Sequence, residues 1–181
     1  MRIELEKCIS ILKKGGVILY PTDTIWGIGC DATNSEAISK IYNIKKRNDS
    51  KALISLVANK KQLKEITGDV PNIDILSKPT TVIYPKAIGI SHKLLATDGS
   101  AAIRITQDHF CQQLVSKLGE AIVSTSANIS GLPNPKSFSE ISQDILNNVD
   151  YIVNLRKDEL MINPSTILKI NIDGRITKIR K

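Results

Sequence analysis

At 181 residues the chain is long enough to bury one substantial core and too short for a second full domain beside it. Hydrophobic residues at 41% and charged residues at 24% exclude a disordered or membrane-embedded chain. With 25 Lys and Arg against 18 Asp and Glu, the formal charge of +7 favours an anionic partner, nucleotide or RNA, while aromatics at 4% weigh against a surface that stacks single-stranded bases.

A single domain over residues 1–181 is therefore expected. Cys8, Cys30 and Cys111 form an odd, widely spaced set without a CxxC pair, so neither a disulfide framework nor a zinc site is indicated. The first residues lack the basic and then apolar order of a secretory signal, and no apolar run is long enough to cross a bilayer. The expected location is cytoplasmic, with no membrane partner.

In chain order, Leu5, Ile9, Ile11 and Leu12 recur at helical spacing up to Lys14, and Gly15-Gly16 supply a stop. Val17 to Tyr20 reads as a buried strand that opens onto Pro21-Thr22-Asp23-Thr24. Asn34 caps a predicted helix to about Ile44, followed by the basic segment Lys45 to Lys51 and a strand over Ala52 to Val57. Asn59 caps a short helix over Lys60 to Ile66, and Pro71 to Pro79 is a connection with a helical turn.

Thr80 to Tyr84 and Ala101 to Ile105 are strands, separated by a stretch with no clear pattern. His109 to Leu118 is a helix stopped by Gly119, leading into a strand over Ala121 to Ser124. Ser137 and Glu140 have capping-box spacing for a helix to about Asn147, and Tyr151 to Asn154 is a short strand. Thr166 to Ile170 and Arg175 to Ile179 flank a connection containing Gly174, the pattern of a hairpin. The sum is an α/β fold: a twisted, mixed parallel and antiparallel sheet covered by helices.

Several familiar sites are absent. There is no GxxxxGK[ST], no GxGxxG and no HExxH, and only His92 and His109 could serve a Ser-His-Asp hydrolase. Four polar clusters remain at strand ends: Pro21 to Thr24, Lys45 to Lys51, Ser124 to Gly131, and Ser165-Thr166. Loops at strand ends converge on clefts, so these are expected to line one basic cavity. Lys45, Arg47 and Lys51 suit phosphate oxygens, although a solvated helix end has the same composition. Ser124 to Gly131 offers hydroxyls and a carboxamide without net charge, which suits an adenylate and also a plain polar turn.

Taken together, the segments resemble the YrdC/TsaC family of threonylcarbamoyl-AMP synthases. Pro21 to Gly29 is similar to its PT[DE]T-x-[YW]-G-[LI]-G motif, Lys45-Lys46-Arg47 with Lys51 to its K-x-R element, and Ser124 to Gly131 to its S-x-SAN-x-SG loop. The resemblance implies an enzyme that makes threonylcarbamoyl-AMP and pyrophosphate from L-threonine, bicarbonate and ATP. Its product serves threonylcarbamoyl modification of tRNA through partner transferase proteins. It further implies threonine contacts from Thr22, Arg104 and Ser165, and ATP contacts from Arg47, Lys51, Ser100, Ser124, Ser126, Asn128, Asn134 and Arg180. Lys45 and Arg47 would stand at the reacting centre, with Mg²⁺ carried on the nucleotide rather than in a protein cage.

The chain departs from the family pattern at Asn48, where many relatives have Pro, and at Leu56, where some longer relatives have His. Trp26 replaces the commoner Tyr and is expected to keep a flat cavity wall. The alternative reading is a non-catalytic RNA-binding or ribosome-associated module that grips a phosphate backbone; a transfer domain active only with partners is a third.

Overall fold

The computed structural model describes residues 1–46 and 53–180. Helix α1 (Arg2–Lys13) buries Leu5, Cys8 and Leu12 on one face, and Gly15 ends the turn with φ 73°. Strand β1 (Ile18–Tyr20) leaves through the 21–26 turn and returns antiparallel as β2 (Gly27–Gly29), with Leu19 opposite Ile28. No predicted element corresponds to β2, because its two glycines hide a strand signal. Gly29 is required there by close approach: a Cβ would lie 2.3 Å from Val123 O and 2.7 Å from Tyr20 Cε1.

Helix α2 (Ser35–Ile44) is capped as expected, Asn34 Oδ1 accepting from the Glu36 and Ala37 amides. Strand β3 (Ile54–Val57) follows, while the predicted start at Ala52 lies outside the described residues. Asn59 caps α3 (Lys60–Thr67), and Gly68 closes it in the left-handed conformation. The expected helical turn in 71–79 is a turn built on Asp74 Oδ1, which accepts from the Leu76 and Ser77 amides.

Strands β4 (Thr80–Tyr84) and β5 (Ala101–Ile105) fall at their predicted positions, with a 3-10 turn over His92–Leu94 in the stretch between. Asp108 caps α4 (His109–Leu118), and β6 (Ile122–Ser126) runs two residues past its predicted end.

The expected helix from Ser137 to Asn147 is broken in two. A 3-10 turn (Phe138–Glu140) is separated from the short α5 (Gln143–Leu146) by Ile141, whose extended backbone drives its side chain into the core beside Ile145. Ser137 makes no cap bond; its hydroxyl lies 2.9 Å from that of Ser139, and Glu140 instead accepts from the Lys136 amide at 2.8 Å. Strand β7 (Tyr151–Ile152) and the hairpin of β8 (Thr166–Ile170) and β9 (Ile176–Arg180) complete the chain.

These strands form one mixed sheet in the order β7-β1-β2-β6-β3-β5-β4-β8-β9. Side chains alternate between its faces. One face carries Leu19, Val57, Val123, Ile103 and Val82, packed with α2, α3 and Ile145 of α5 in a core that spans most of the sheet. The other carries Ile18, Tyr20, Leu56 and Ile122, packed with α1 and the apolar stripe of α4. That second core takes nothing from β5, β4, β8 or β9. Among the described residues two helices thus cover only half of this face, and the other half is open.

Substituting Gly29→Ala forces a methyl into the Val123 carbonyl and should destabilise the fold by about 2–3 kcal/mol. Urea unfolding of the variant measures this; a midpoint equal to that of the parent would contradict the close approach.

Candidate active site

The uncovered half of the second face is a cavity of about 400 Å³, a volume typical of small-molecule sites. Two cross-strand rows form its floor. In the first, Ser124 stands opposite Ile54, Ile54 opposite Ala102, and Ala102 opposite Ile83, which gives one hydroxyl at the end of a flat apolar strip. In the second, two residues further along the strands, come Arg104 on β5 and Thr81 on β4. Thr81 pairs with Ile167, and Ile167 with Arg180. Register therefore sets two guanidinium groups along one row, and both line the cavity.

Arg104 is 3% exposed. Its Nη1 donates to Thr24 Oγ1 at 3.1 Å, and its Nη2 lies 3.1 Å from Asp23 Oδ1. The pairing with Asp23 is ionic rather than an aligned hydrogen bond, since Asp23 Oδ1 and Arg104 Nε both lack a hydrogen-bond partner among the described residues. The second Asp23 oxygen accepts from the Gln107 amide at 3.0 Å, which holds the carboxylate in place. A buried N–H with no acceptor is costly to leave unmet. Arg104 lines the cavity, so this unmet group stands beside the space a ligand would fill.

Arg180 donates through Nε and Nη2 to Ser165 O at 3.1 and 2.8 Å, and the Ser165 hydroxyl is 2.8 Å from that of Thr81. Burial, then repulsion from Arg104, lowers Arg180 below the ordinary guanidinium value. The two cations already feel one another.

Ser124 and Ser126 bring hydroxyls to the cavity from β6, Ser100 comes from the foot of β5, and Asn134 and Ser165 stand on surrounding loops. The structure thus brings together Ser100, Arg104, Ser124, Ser126, Asn134, Ser165 and Arg180, all named by the sequence. Thr22, Lys45 and Asn128 are not part of the lining. Thr22 is 1% exposed and its Oγ1 ties its own turn, donating to Ile25 O at 2.7 Å and accepting from the Thr24 amide at 3.0 Å. Arg47 and Lys51 lie outside the described residues.

Lys45 is not the end of a solvated basic run: it is 2% exposed, and its ammonium donates to the carbonyls of Ser126 and, at 2.6 Å, Asn128. The Ser130 amide returns a bond to Lys45 O at 2.9 Å. Asn128 braces the same loop by donating to Leu132 O at 2.6 Å. The K-x-R segment and the serine-rich loop are thereby fastened to each other.

Trp26 corrects an expectation. Alternation along the chain directs Gly27 to the cavity and Trp26 to the opposite core, where it is fully buried with its ring 5.2 Å from that of Phe138. Sequence reasoning missed Asp23, Thr24, Gly27 and Thr81. The first three lay inside a motif already singled out; Thr81 gave no signal before strand register was known.

The family model Sua5_yciO_yrdC, described as telomere recombination, matches residues 10–181. The chain is 34% identical over 149 residues to the threonylcarbamoyl-AMP synthase of Photobacterium profundum, covering 78% of this chain and 80% of that protein. It is 35% identical over 187 residues to the putative threonylcarbamoyl-AMP synthase of Methanocaldococcus jannaschii, covering 98% and 87%. Among solved structures, P. abyssi Sua5 complexed with L-threonine superposes with a TM-score of 0.82 at 20% identity, over 99% of this chain and 54% of that one. Escherichia coli YciO superposes with a TM-score of 0.81 at 23% identity, over 99% and 89%. At these identities the structural likeness concerns the fold.

The Ser100 position can be tested through its neighbour Asp98. Hydrogen bonds from the Ser100 hydroxyl and amide, with Lys169 nearby, hold the Asp98 carboxyl at about 2 against an ordinary 3.8. Because the folded value is depressed, the stabilisation is present above 3.8 and lost as pH falls through about 2. A carbon-detected NMR titration should find the low midpoint, and Ser100→Ala should move it upward; an unmoved midpoint would exclude this hydroxyl as the cause.

Proposed function

The chain belongs to the Sua5_yciO_yrdC family, and from that membership and the cavity we propose that it joins L-threonine, bicarbonate and ATP into threonylcarbamoyl-AMP and pyrophosphate. The observation that carries this reading is Arg104, a buried guanidinium with an unmet N–H, facing the same cavity as the Ser124 and Ser126 hydroxyls and a second guanidinium. One end suits a small carboxylate and the other an adenylate.

In this reading the threonine carboxylate docks on Arg104, whose planar fork accepts both oxygens of an anion. Thr24 and Asp23 hold the fork in place from behind, and Ser165 on the facing wall lies within the same site. The strip Ile54, Ala102 and Ile83 offers a flat apolar surface, the β6 hydroxyls and Asn134 offer donors to the nucleotide, and the Ser100 oxygen beside them offers an acceptor. Arg47 and Lys51 are assigned to the phosphates on the resemblance of their motif. Thr22 and Asn128 act by shaping the turns that carry their neighbours, and Lys45 by fastening the serine-rich loop.

The threonine amine adds to carbon dioxide with loss of a proton, or condenses with bicarbonate with loss of water, to give a carbamate. A carbamate oxygen then attacks the α-phosphorus of ATP; the new P–O bond forms as the bond to the bridging oxygen breaks, and pyrophosphate leaves with that electron pair. The adenylyl group is transferred, so the enzyme is a nucleotidyltransferase. Two anions must be held together for this step, and fixed cations in a low-dielectric wall offset their repulsion.

Mg²⁺ fits here as a companion of the nucleotide. The lining contains no carboxylate, and no cluster of three or more His, Cys, Asp or Glu suited to a metal occurs among the described residues. The donors left to the ion are phosphate oxygens and water, which Mg²⁺ accepts readily. Its chemistry there would be to neutralise phosphate charge.

The product would serve threonylcarbamoylation of tRNA, handed to transferase proteins in the cytoplasm. Among the described residues no helix is long and apolar enough to cross a membrane. The relatives named as synthases do not favour a non-catalytic RNA-binding module, although the +7 charge leaves room for tRNA contact beside catalysis.

Pyrophosphate release should require ATP, threonine and bicarbonate together, and mass spectrometry should identify the adenylate. Arg104→Lys keeps the charge but loses the fork and should raise the threonine KM about ten- to a hundredfold, a loss of about 1.4–2.8 kcal/mol. Release that ignores threonine, or an unchanged KM, would refute the assignment.

A further inference from the structure

Outside the cavity one residue is strained and heavily engaged without an assigned task. Arg156 adopts φ 55°, in the left-handed region that a side chain rarely occupies. Its guanidinium reaches three groups. Nη1 donates to Asp108 Oδ2 at 2.5 Å and to Thr22 O at 3.3 Å, and Nε donates to Glu159 Oε2 at 2.8 Å. The Asp108 carboxylate is 10% exposed and is also the cap of α4, its other oxygen accepting from the Cys111 amide at 2.8 Å.

From the same helical turn the Cys111 thiol donates to Pro21 O at 3.4 Å. Two consecutive carbonyls entering the Thr22 turn, those of Pro21 and Thr22, are therefore held from outside. Both anchors stand on or against the first turn of α4. Within that turn Thr22 Oγ1 accepts from the Thr24 and Ile25 amides, and Thr24 and Asp23 hold the Arg104 guanidinium.

We propose that Arg156 is a positioning residue for the amino-acid end of the cavity: through Asp108 and the Thr22 carbonyl it locks the 22–25 turn that aims Arg104. The proposal rests on the reading of Arg104 as the carboxylate site. It accounts for the backbone strain, since a left-handed residue at 156 persists only where surrounding contacts over-determine it. It also makes a directional claim. Loosening this clamp disturbs the turn and Arg104, whereas Ser124 is pinned by its pairing with Ile54 of β3 and Ser126 has a second anchor in the Lys45 ammonium on its carbonyl.

The test is Arg156→Gly. Glycine adopts φ 55° without cost, so this change removes the guanidinium while relieving the backbone. Amide hydrogen exchange at Thr24 and Ile25 should accelerate on the order of tenfold, with α4 amides beyond its first turn unchanged. In steady-state assays of pyrophosphate release, the threonine KM should rise on the order of ten- to a hundredfold, while the ATP KM and the thermal midpoint change little. Arg156→Lys should restore part of the protection by keeping the ion pair to Asp108.

Unchanged exchange at Thr24 and Ile25 overturns the proposal whatever the activity. A parallel rise in the KM of both substrates together with a fallen thermal midpoint also overturns it, because that is the signature of a merely structural residue. If the parent enzyme shows no threonine-dependent turnover, the functional reading fails, while accelerated exchange at the two amides still establishes the clamp.

Discussion

A guanidinium taken out of water costs several kcal/mol unless its charge and its N–H groups are answered, and Arg104, at 3% exposed, is answered only in part. Asp23 supplies the countercharge and Thr24 one acceptor, while Nε has no partner among the described residues. The rest of the site is arranged around that incomplete answer. Removing Asp23 would leave an uncompensated buried cation, a loss on the order of 3–5 kcal/mol. The 22–25 turn is accordingly tied by Thr22 from within and by Arg156, Asp108 and Cys111 from outside. Arg180, lowered by burial and by Arg104, places a second cation in the same hollow.

Where this hollow lies follows from how the sheet is covered. The first face meets α2, α3 and α5 and is closed. The second meets only α1 and α4, which pack against each other and over β1 and β3. Because alternation is strict, β5 gives Ala101, Ile103 and Ile105 to the closed core and Ala102 and Arg104 to the open side. Moving β5 by one residue would bury the apolar trio in the cavity and drive the arginine into the core. The same register that stabilises the fold therefore sets the charge of the site.

Much of this was readable from residues. Asn34, Asn59 and Gly119 marked helix ends because capping is local chemistry, written within four residues of the end it serves. The polar strand ends pointed to Ser124, Ser126 and Ser165 for the same reason, the chemistry being local, whereas Arg104 was indicated only by the family resemblance. What escaped depended on distant partners. Strand β2 carries two glycines and exists because β1 and β6 accept it between them. The helix expected from Ser137 lost to the burial of Ile141. Thr81 reads as an ordinary β-branched strand residue until its pairing with Ile167 places it between two arginines. Lys45 was expected at the reacting centre, and its burial is visible only once the Ser126 and Asn128 carbonyls are known to lie beside it.

Lys45 also shows how the two ends of the cavity differ in construction. At the end where threonine is proposed to dock, charge meets charge: Arg104 on Asp23, a pair shielded from water, and Arg156 on Asp108, whose guanidinium is 32% exposed. At the nucleotide end the lining is hydroxyl and amide, and the nearby cation, Lys45, spends donors on backbone carbonyls beneath the loop. Fixed ion pairs hold one geometry and suit a small ligand recognised by a single fork. Hydroxyls rotate to donate or accept, and so suit a group whose oxygens change partners and charge as pyrophosphate departs. Lys45 braces the loop that carries those hydroxyls from behind. The rigid end then serves selection and the adaptable end serves reaction, a division of labour set by side-chain chemistry along one sheet face.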